Sequence, residues 1–171
     1  GTVAVTPPPG AFLQATTDAE AALQQAVAGI VGGASRVTDL FAGCGTLGLP
    51  LLKGLSRLTA AESDTAALAA MKAAVDAAGL GARLDCIEAD LMRAPLTADL
   101  FGDVEAVIID PPRAGASAQC EILATTAVPA IAMVSCNPAS FARDAAILVA
   151  GGYRLTLSLI HISEPTRLAS I

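Results

Sequence analysis

Tryptophan is absent from this chain, and its aromatic side chains are limited to Phe12, Phe41, Phe101, Phe141 and Tyr153. Unpaired bases stack on such rings, so little surface is available here for a nucleic-acid platform. Positive charge is also in deficit: ten Lys and Arg stand against sixteen Asp and Glu, a net charge of −6. A domain of that sign does not grip a polyanion across its whole surface. Histidine occurs once, as His161, and the cysteines at 44, 86, 120 and 136 form no C-x-x-C pair. A bound metal is therefore not expected, and a reducing, cytoplasmic setting fits best. No apolar run reaches the ~18 residues that a membrane span requires. Residues 1–10 lack the positive start and apolar core of a signal peptide.

What is present points to a folded enzyme-sized unit. The 171 residues are 54% hydrophobic and 15% charged, enough apolar content for one domain with a sizeable core. Thr6-Pro7-Pro8-Pro9-Gly10 makes the leading segment, residues 1–16, stiff and extended. A helix pattern then runs from Thr17 or Asp18 to Ile30, with Leu23, Val27 and Ile30 on one face. Strand patterns follow at Arg36–Phe41, Leu58–Ala61, Arg83–Glu88, Val104–Ile109 and Ala130–Val134, and Tyr153–Ile160 could be a last one. Between them lie helix patterns leading to Gly54, then at Asp64–Ala78, Ala116–Thr126 and Pro138–Val149. Continuous apolar strands alternating with helices predict an α/β domain, a doubly wound and mostly parallel sheet covered on both faces.

The chemistry-bearing residues fall at the carboxyl ends of these strands, where open α/β sheets bind their ligands. After the first strand comes Asp39-Leu-Phe41-Ala-Gly43-Cys44-Gly45-Thr-Leu-Gly48, which matches G-x-G-x-x-G, and Glu62 follows nineteen residues after Gly43. Glycines let a ligand approach the backbone, and an acid at the end of the next strand can accept hydrogen bonds from ribose hydroxyls. Either a dinucleotide or S-adenosylmethionine suits such a loop. An acid at Asp39 is unusual beneath a dinucleotide and suits a ligand with positive charge, which a sulfonium with an ammonium group provides. Asp90, just past the third strand, can reach an adenine amino group.

Asp110-Pro111-Pro112-Arg113 ends the most apolar strand, and its two prolines hold the chain extended and fix the direction of the Asp110 carboxylate. Amine methyltransferases often carry an aromatic residue where Arg113 stands, which argues against an amine substrate. Ser135-Cys136-Asn137-Pro138 ends the last clear strand. With Asn137 as N-cap and Pro138 in the first turn, Cys136 sits before a helix N-terminus, where the dipole favours thiolate. Cys44, Cys86 and Cys120 read as small buried hydrophobes, with Cys44 in reach of a ligand through its backbone.

Together these segments resemble the S-adenosylmethionine-dependent RNA uracil-C5 methyltransferases of ribosomal and transfer RNA. The resemblance covers about Pro9 to Leu155. It rests on Gly10-Ala-Phe12-Leu-Gln14, Asp39 to Gly45, Glu62, Asp90, Asp110 to Gly115 and Ser135 to Asp144. It implies a class I, Rossmann-like methyltransferase domain at 17–157 with S-adenosyl-L-methionine as cofactor. By this likeness Gln14, Asp39, Phe41, Gly43, Gly45, Glu62, Asp90 and Asp110 form the cofactor site. Cys136 is then the nucleophile and Asp110 faces the uracil.

Family members carry RNA-binding segments ahead of this domain, and a Pro-His-x-Glu segment with the general base and a final strand after it. Neither pattern is seen here: His161 and Glu164 have the wrong spacing, and 158–171 reads as an aberrant tail. The resemblance therefore implies a domain truncated at both ends, with RNA held mainly by segments absent here, and turnover impaired. A non-catalytic cofactor-binding or interaction module of the same fold, and a nicotinamide-dependent oxidoreductase, are the alternatives.

Overall fold

The computed structural model describes residues 3–6 and 17–156. Its centre is a five-stranded sheet made of β1 (Arg36–Leu40), β2 (Arg57–Glu62), β3 (Leu84–Glu88), β4 (Ala106–Ile109) and β5 (Ala130–Met133). The strands lie in the order β3-β2-β1-β4-β5, and every neighbouring pair is parallel. The chain runs outward from β1 to β3, crosses back to β4 and continues the other way. A switch point therefore lies between β1 and β4, and a crevice opens there at the carboxyl edge.

Alternation along the strands loads both faces. Val37, Leu58, Ala60, Ala106 and Ile108 pack under α1 (Thr17–Val31) and α2 (Thr65–Ala77). Leu40, Ala61, Val107 and Ile109 point the other way, toward α3 (Ser117–Leu123) and α4 (Pro138–Ala150). Ile108 and Ile109 are both fully buried, one on each face, which is what a doubly wound sheet demands of its central strands. Burying each such side chain contributes about 1.5–3 kcal/mol. In α2, Ala67, Leu68, Met71 and Val75 form the buried stripe, and the Asp64 carboxylate caps it by accepting from the Ala66 and Ala67 amides.

Several local expectations shift. The segment leading to Gly54 is a 3₁₀ turn, Leu49–Gly54, because Pro50 and a six-residue length leave no room for a regular helix. β3 is not an apolar run: as an edge strand it exposes Cys86 and Glu88, so Cys86 is an exposed thiol and not a core residue. The third helix ends at Leu123, where the hydroxyls of Thr125 and Thr126 donate to the Ile122 and Leu123 carbonyls. Residues 153–156 form no strand; Gln14, His161, Glu164 and the rest of the expected last strand lie outside the described residues. Among the described residues no helix is long and apolar enough to cross a membrane.

Candidate active site

Register alone aligns the site. Leu40 pairs with Ala61 on one side and Ile109 on the other, and Ile109 pairs with Met133. The residues just past that row are therefore neighbours along one edge. Reading across the sheet, Asp90, Glu62, the glycine loop, Asp110 and Cys136 follow strands β3, β2, β1, β4 and β5 in turn. Adjacent strands are about 4.8 Å apart, so the segments carrying Asp110 and Cys136 leave the sheet from neighbouring strands. The expected residues from Asp39 onward thus share one edge.

The loop after β1 is sharply turned. Phe41, Gly43 and Gly45 have φ values of 60°, 54° and 83°. A left-handed phenylalanine is uncommon and marks strain held in place by its surroundings. Glu62 stabilises this turn: one carboxylate oxygen accepts from the Gly43 amide at 2.9 Å. The other accepts from the Ser63 amide and hydroxyl and from the Asp64 amide. At the end of β3, Asp90 is exposed and accepts from the Met92 amide at 3.1 Å.

Asp39 lies below the loop and is 1% exposed. Its Oδ2 is buried without a hydrogen-bond partner. A Cβ at Gly48 would stand 2.5 Å from that oxygen, so only glycine fits there. Burial, the Asp110 charge and the Glu62 charge raise the Asp39 pKa to about 7, with the Gly48 amide opposing them in part. Burial likewise raises Asp110 to about 6. Two carboxyls pushed toward neutrality at one sheet edge form a pattern that recurs at functional sites. Sequence reasoning placed Asp39 before the loop; its isolation follows only from packing.

The β4–β5 side is built differently. Past Pro112 the chain is not extended: the Gly115 amide donates to the Pro112 carbonyl at 2.8 Å, closing a turn. Asn137 caps α4 through the Ala139 amide, as its place before Pro138 predicted. Its amide nitrogen also donates to the Arg113 carbonyl at 3.0 Å, a contact that nothing in the sequence signalled. Cys136, the residue before this cap, is exposed.

The other thiols are held neutral. Burial raises Cys120 to about 12, and it raises Cys44 and Cys86 as well, with the Asp64 and Glu62 charges adding at Cys44. An exposed thiol at a helix start, flanked by a partly desolvated carboxyl, can act as a nucleophile on a ligand entering the crevice. A pyrophosphate is poorly served, since a buried carboxyl lies beneath the glycine loop and a short 3₁₀ turn follows it.

A family model described as "Conserved hypothetical protein 95" matches residues 18–139. A Rhizobium meliloti protein named as an RNA methyltransferase is 48% identical over 155 residues, 90% of this chain and 37% of that protein. The 23S rRNA (uracil(1939)-C(5))-methyltransferase RlmD of Chromohalobacter salexigens is 41% identical over 150 residues, 86% of this chain and 30% of that protein. Among solved structures, the tRNA (uracil-54, C5)-methyltransferase of Pyrococcus abyssi in complex with S-adenosyl-L-homocysteine superimposes with a TM-score of 0.69. That match has 28% identity and covers 82% of this chain and 33% of the other. The chain thus spans about a third of the length of the relatives it matches. The resemblance read from the sequence is borne out by these relatives. On the family match, the parallel sheet order and the fold of these neighbours, the chain belongs to the conserved hypothetical protein 95 family and has the class I methyltransferase fold.

Proposed function

We propose that this domain methylates C5 of uracil in RNA, using S-adenosyl-L-methionine and a covalent bond between Cys136 and C6. The observation behind this reading is the exposed Cys136 thiol, one strand from Asp110 on the edge that also holds the strained glycine loop. The relatives' names support RNA as the substrate class and uracil as the base, and a nucleophile that adds to C6 is what activation of a pyrimidine C5 needs.

The residues fit a cationic cofactor. Asp39 offers a buried oxygen without a partner, and Glu62 and Asp90 extend the row of carboxylates toward β3. In this reading Gly43 and Gly45 admit the cofactor to the backbone, Phe41 borders it, Glu62 takes the ribose hydroxyls and Asp90 the adenine amino group. Gln14 is assigned to the methionine end by family likeness. Bound S-adenosylmethionine supplies an electrophilic methyl group, which C5 takes up.

The chain's own groups prepare the base. Uracil C5 is a weak nucleophile until the Cys136 thiolate forms a bond to C6, which pushes the C5–C6 electron pair onto C5 and the C4 carbonyl as an enolate. Asp110, as carboxylate, accepts from the uracil N3–H and orients the ring in line for transfer. The base must leave its stack to reach the thiol, so a flipped or single-stranded uridine is required. After methylation the C5 proton passes to a base, the C6–S bond breaks and the thiolate departs. After Cys136 the only carboxylate among the described residues is Asp144, which is buried and bonded to Ala116 and Arg143. With 5-fluorouridine in the labelled RNA, the C5 fluorine cannot leave as a cation, so the adduct persists for measurement.

A denaturing gel with labelled RNA and cofactor tests the reading. A slowly migrating RNA–protein band that vanishes in Cys136→Ala is the expected result. No band, with RNA and cofactor binding both demonstrated, overturns it.

A further inference from the structure

The segment after β4 is bound to α4 and its N-cap at three residues, Arg113, Ala114 and Ala116. The Arg113 carbonyl accepts from Asn137 Nδ2 at 3.0 Å, and the Ala114 carbonyl accepts from Arg143 Nη2 at 2.8 Å. The Ala116 amide donates to Asp144 Oδ2 at 2.6 Å. Asp144, 1% exposed, uses its other oxygen to hold the Arg143 guanidinium through Nε and Nη2 at 2.8 and 2.7 Å. Gly115, at φ +80°, fits beneath this group; a Cβ there would collide with Arg143, Asp144 and Ser140.

Capping α4 requires only the Asn137 side-chain oxygen, which accepts from the Ala139 amide. Serine, threonine or aspartate would do that equally well. The amide nitrogen adds something separate: it ties the residue after Cys136 to the loop that begins at Asp110. Without these bonds, the two loops would be joined through β4 and β5 and through the apolar packing of α3 on α4, with no polar tie between Arg113–Ala116 and the residues after Cys136. Attack on C6 while Asp110 holds N3 demands a fixed spacing between the two groups, and misplacement by about 1 Å can lower a rate 100-fold.

We infer that Asn137, Arg143 and Asp144 form a clamp that holds the Asp110 loop in register with Cys136, and are positioning residues for thiolate addition. This rests on the reading that Cys136 attacks uracil. The clamp touches no substrate. It sets the distance between two groups that do.

The decisive variant is Asn137→Ser, which keeps a helix cap and loses the donor to Arg113. The probe is an oligouridylate containing 5-fluorouridine, with S-adenosylmethionine present. Fluorine at C5 cannot leave as a cation, so the methylated adduct stays on Cys136 and its rate of appearance is measured directly. Asn137→Ser should lower the saturating rate about 30-fold, leave the RNA concentration at half-rate within twofold, and leave alkylation of Cys136 by iodoacetamide unchanged. Amide hydrogen exchange at Ala114, Gly115 and Ala116 should quicken. Asn137→Gln, which retains a carboxamide on a longer stem, should recover part of the rate, whereas Asn137→Asp should not.

An unchanged saturating rate in Asn137→Ser overturns the clamp, as does a defect confined to the RNA concentration at half-rate. Unchanged amide exchange at 114–116 overturns it as well. These results leave the assignment of Cys136 standing. Absence of any adduct in the unaltered protein, with probe and cofactor bound, removes that assignment and the clamp's role together.

Discussion

The two halves of the carboxyl edge solve opposite problems. Beneath the loop after β1, an oxygen of Asp39 is buried with no partner, and Phe41 is held at φ 60°. Beyond β4 and β5, the carbonyls of Arg113 and Ala114 and the amide of Ala116 are all bonded to α4, and the one reactive group, Cys136, faces solvent. The first half keeps unspent electrostatic energy that a cation can relieve. The second has these polar groups already bonded. On the proposed reading, cofactor binding and the spacing of the reacting groups draw on different strands, so they can be broken separately.

The largest separation comes from Cys136→Ala. Removing a nucleophile should lower adduct formation by at least about 1,000-fold. S-adenosylhomocysteine affinity, measured by calorimetry, should stay within about twofold, since the thiol lies on the bonded half. A loss of affinity matching the loss of adduct would erase the division.

Gly115→Ala attacks the bonded half through packing. The new Cβ meets Arg143 and Asp144 at a backbone angle of φ +80°, with Ser140 close by. Destabilisation of about 2–4 kcal/mol is expected, a drop in Tm of about 6–12 °C. Gly79→Ala serves as the control: its φ is +71° but nothing lies within 4 Å of the added atom. Its cost should be only about 1 kcal/mol. Equal losses in the two variants would show that the clamp adds nothing beyond backbone strain.

Asp39→Asn strikes the other half, and its two effects should have opposite signs. Removing a buried carboxyl that the fold desolvates should raise the Tm of the ligand-free protein at pH 8, by several degrees for a gain of about 1–2 kcal/mol. S-adenosylmethionine affinity should fall about tenfold, a coupling of roughly 1.4 kcal/mol. A variant both less stable and weaker in binding would mean that Asp39 is structural.

The sequence exposed this division only in part. Strands β4 and β5 were legible because their apolar runs stop shortly before Asp110 and Cys136, as buried strands do, and β1 because the glycine loop follows it. Edge strand β3 was placed at Arg83–Glu88 and lies at Leu84–Glu88, but its half-exposed character was not legible: a strand buried on fewer sides tolerates polar residues such as Asp85 and Glu88. The cap at Asn137 was local and readable. Its bond to Arg113, 24 residues away, was not, because no periodicity encodes a contact between two loops. The Arg143–Asp144 pair stood in the motif with no role readable from it; the burial of Asp144 distinguishes it. Asp39 was seen as an acid in an unusual place, while its missing partner is a property of packing.

Titration gives the smallest and most discriminating test. Asp39, facing Asp110, Glu62 and the Gly48 amide, has its pKa raised from 3.8 to about 7. A folded-state pKa above the unfolded value means the folded protein binds the extra proton, so the stability linked to Asp39 is full below about pH 4 and declines as pH rises to about 7. Ligand affinity runs the other way, because a cation prefers the carboxylate that forms as pH rises. S-adenosylmethionine binding should therefore strengthen between pH 6 and 8, by at most about tenfold, and level off above. Asp39→Asn should flatten most of that rise, leaving the weaker dependence due to Asp110, which titrates near 6. Comparing S-adenosylhomocysteine, which keeps the ammonium but lacks the sulfonium charge, identifies the cation involved. An equal rise for both ligands assigns Asp39 to the ammonium, whereas a rise for S-adenosylmethionine alone assigns it to the sulfonium. Flat profiles for both would mean that Asp39 does not meet a cation at all, and the contrast between the two halves of the edge would then lose its electrostatic side.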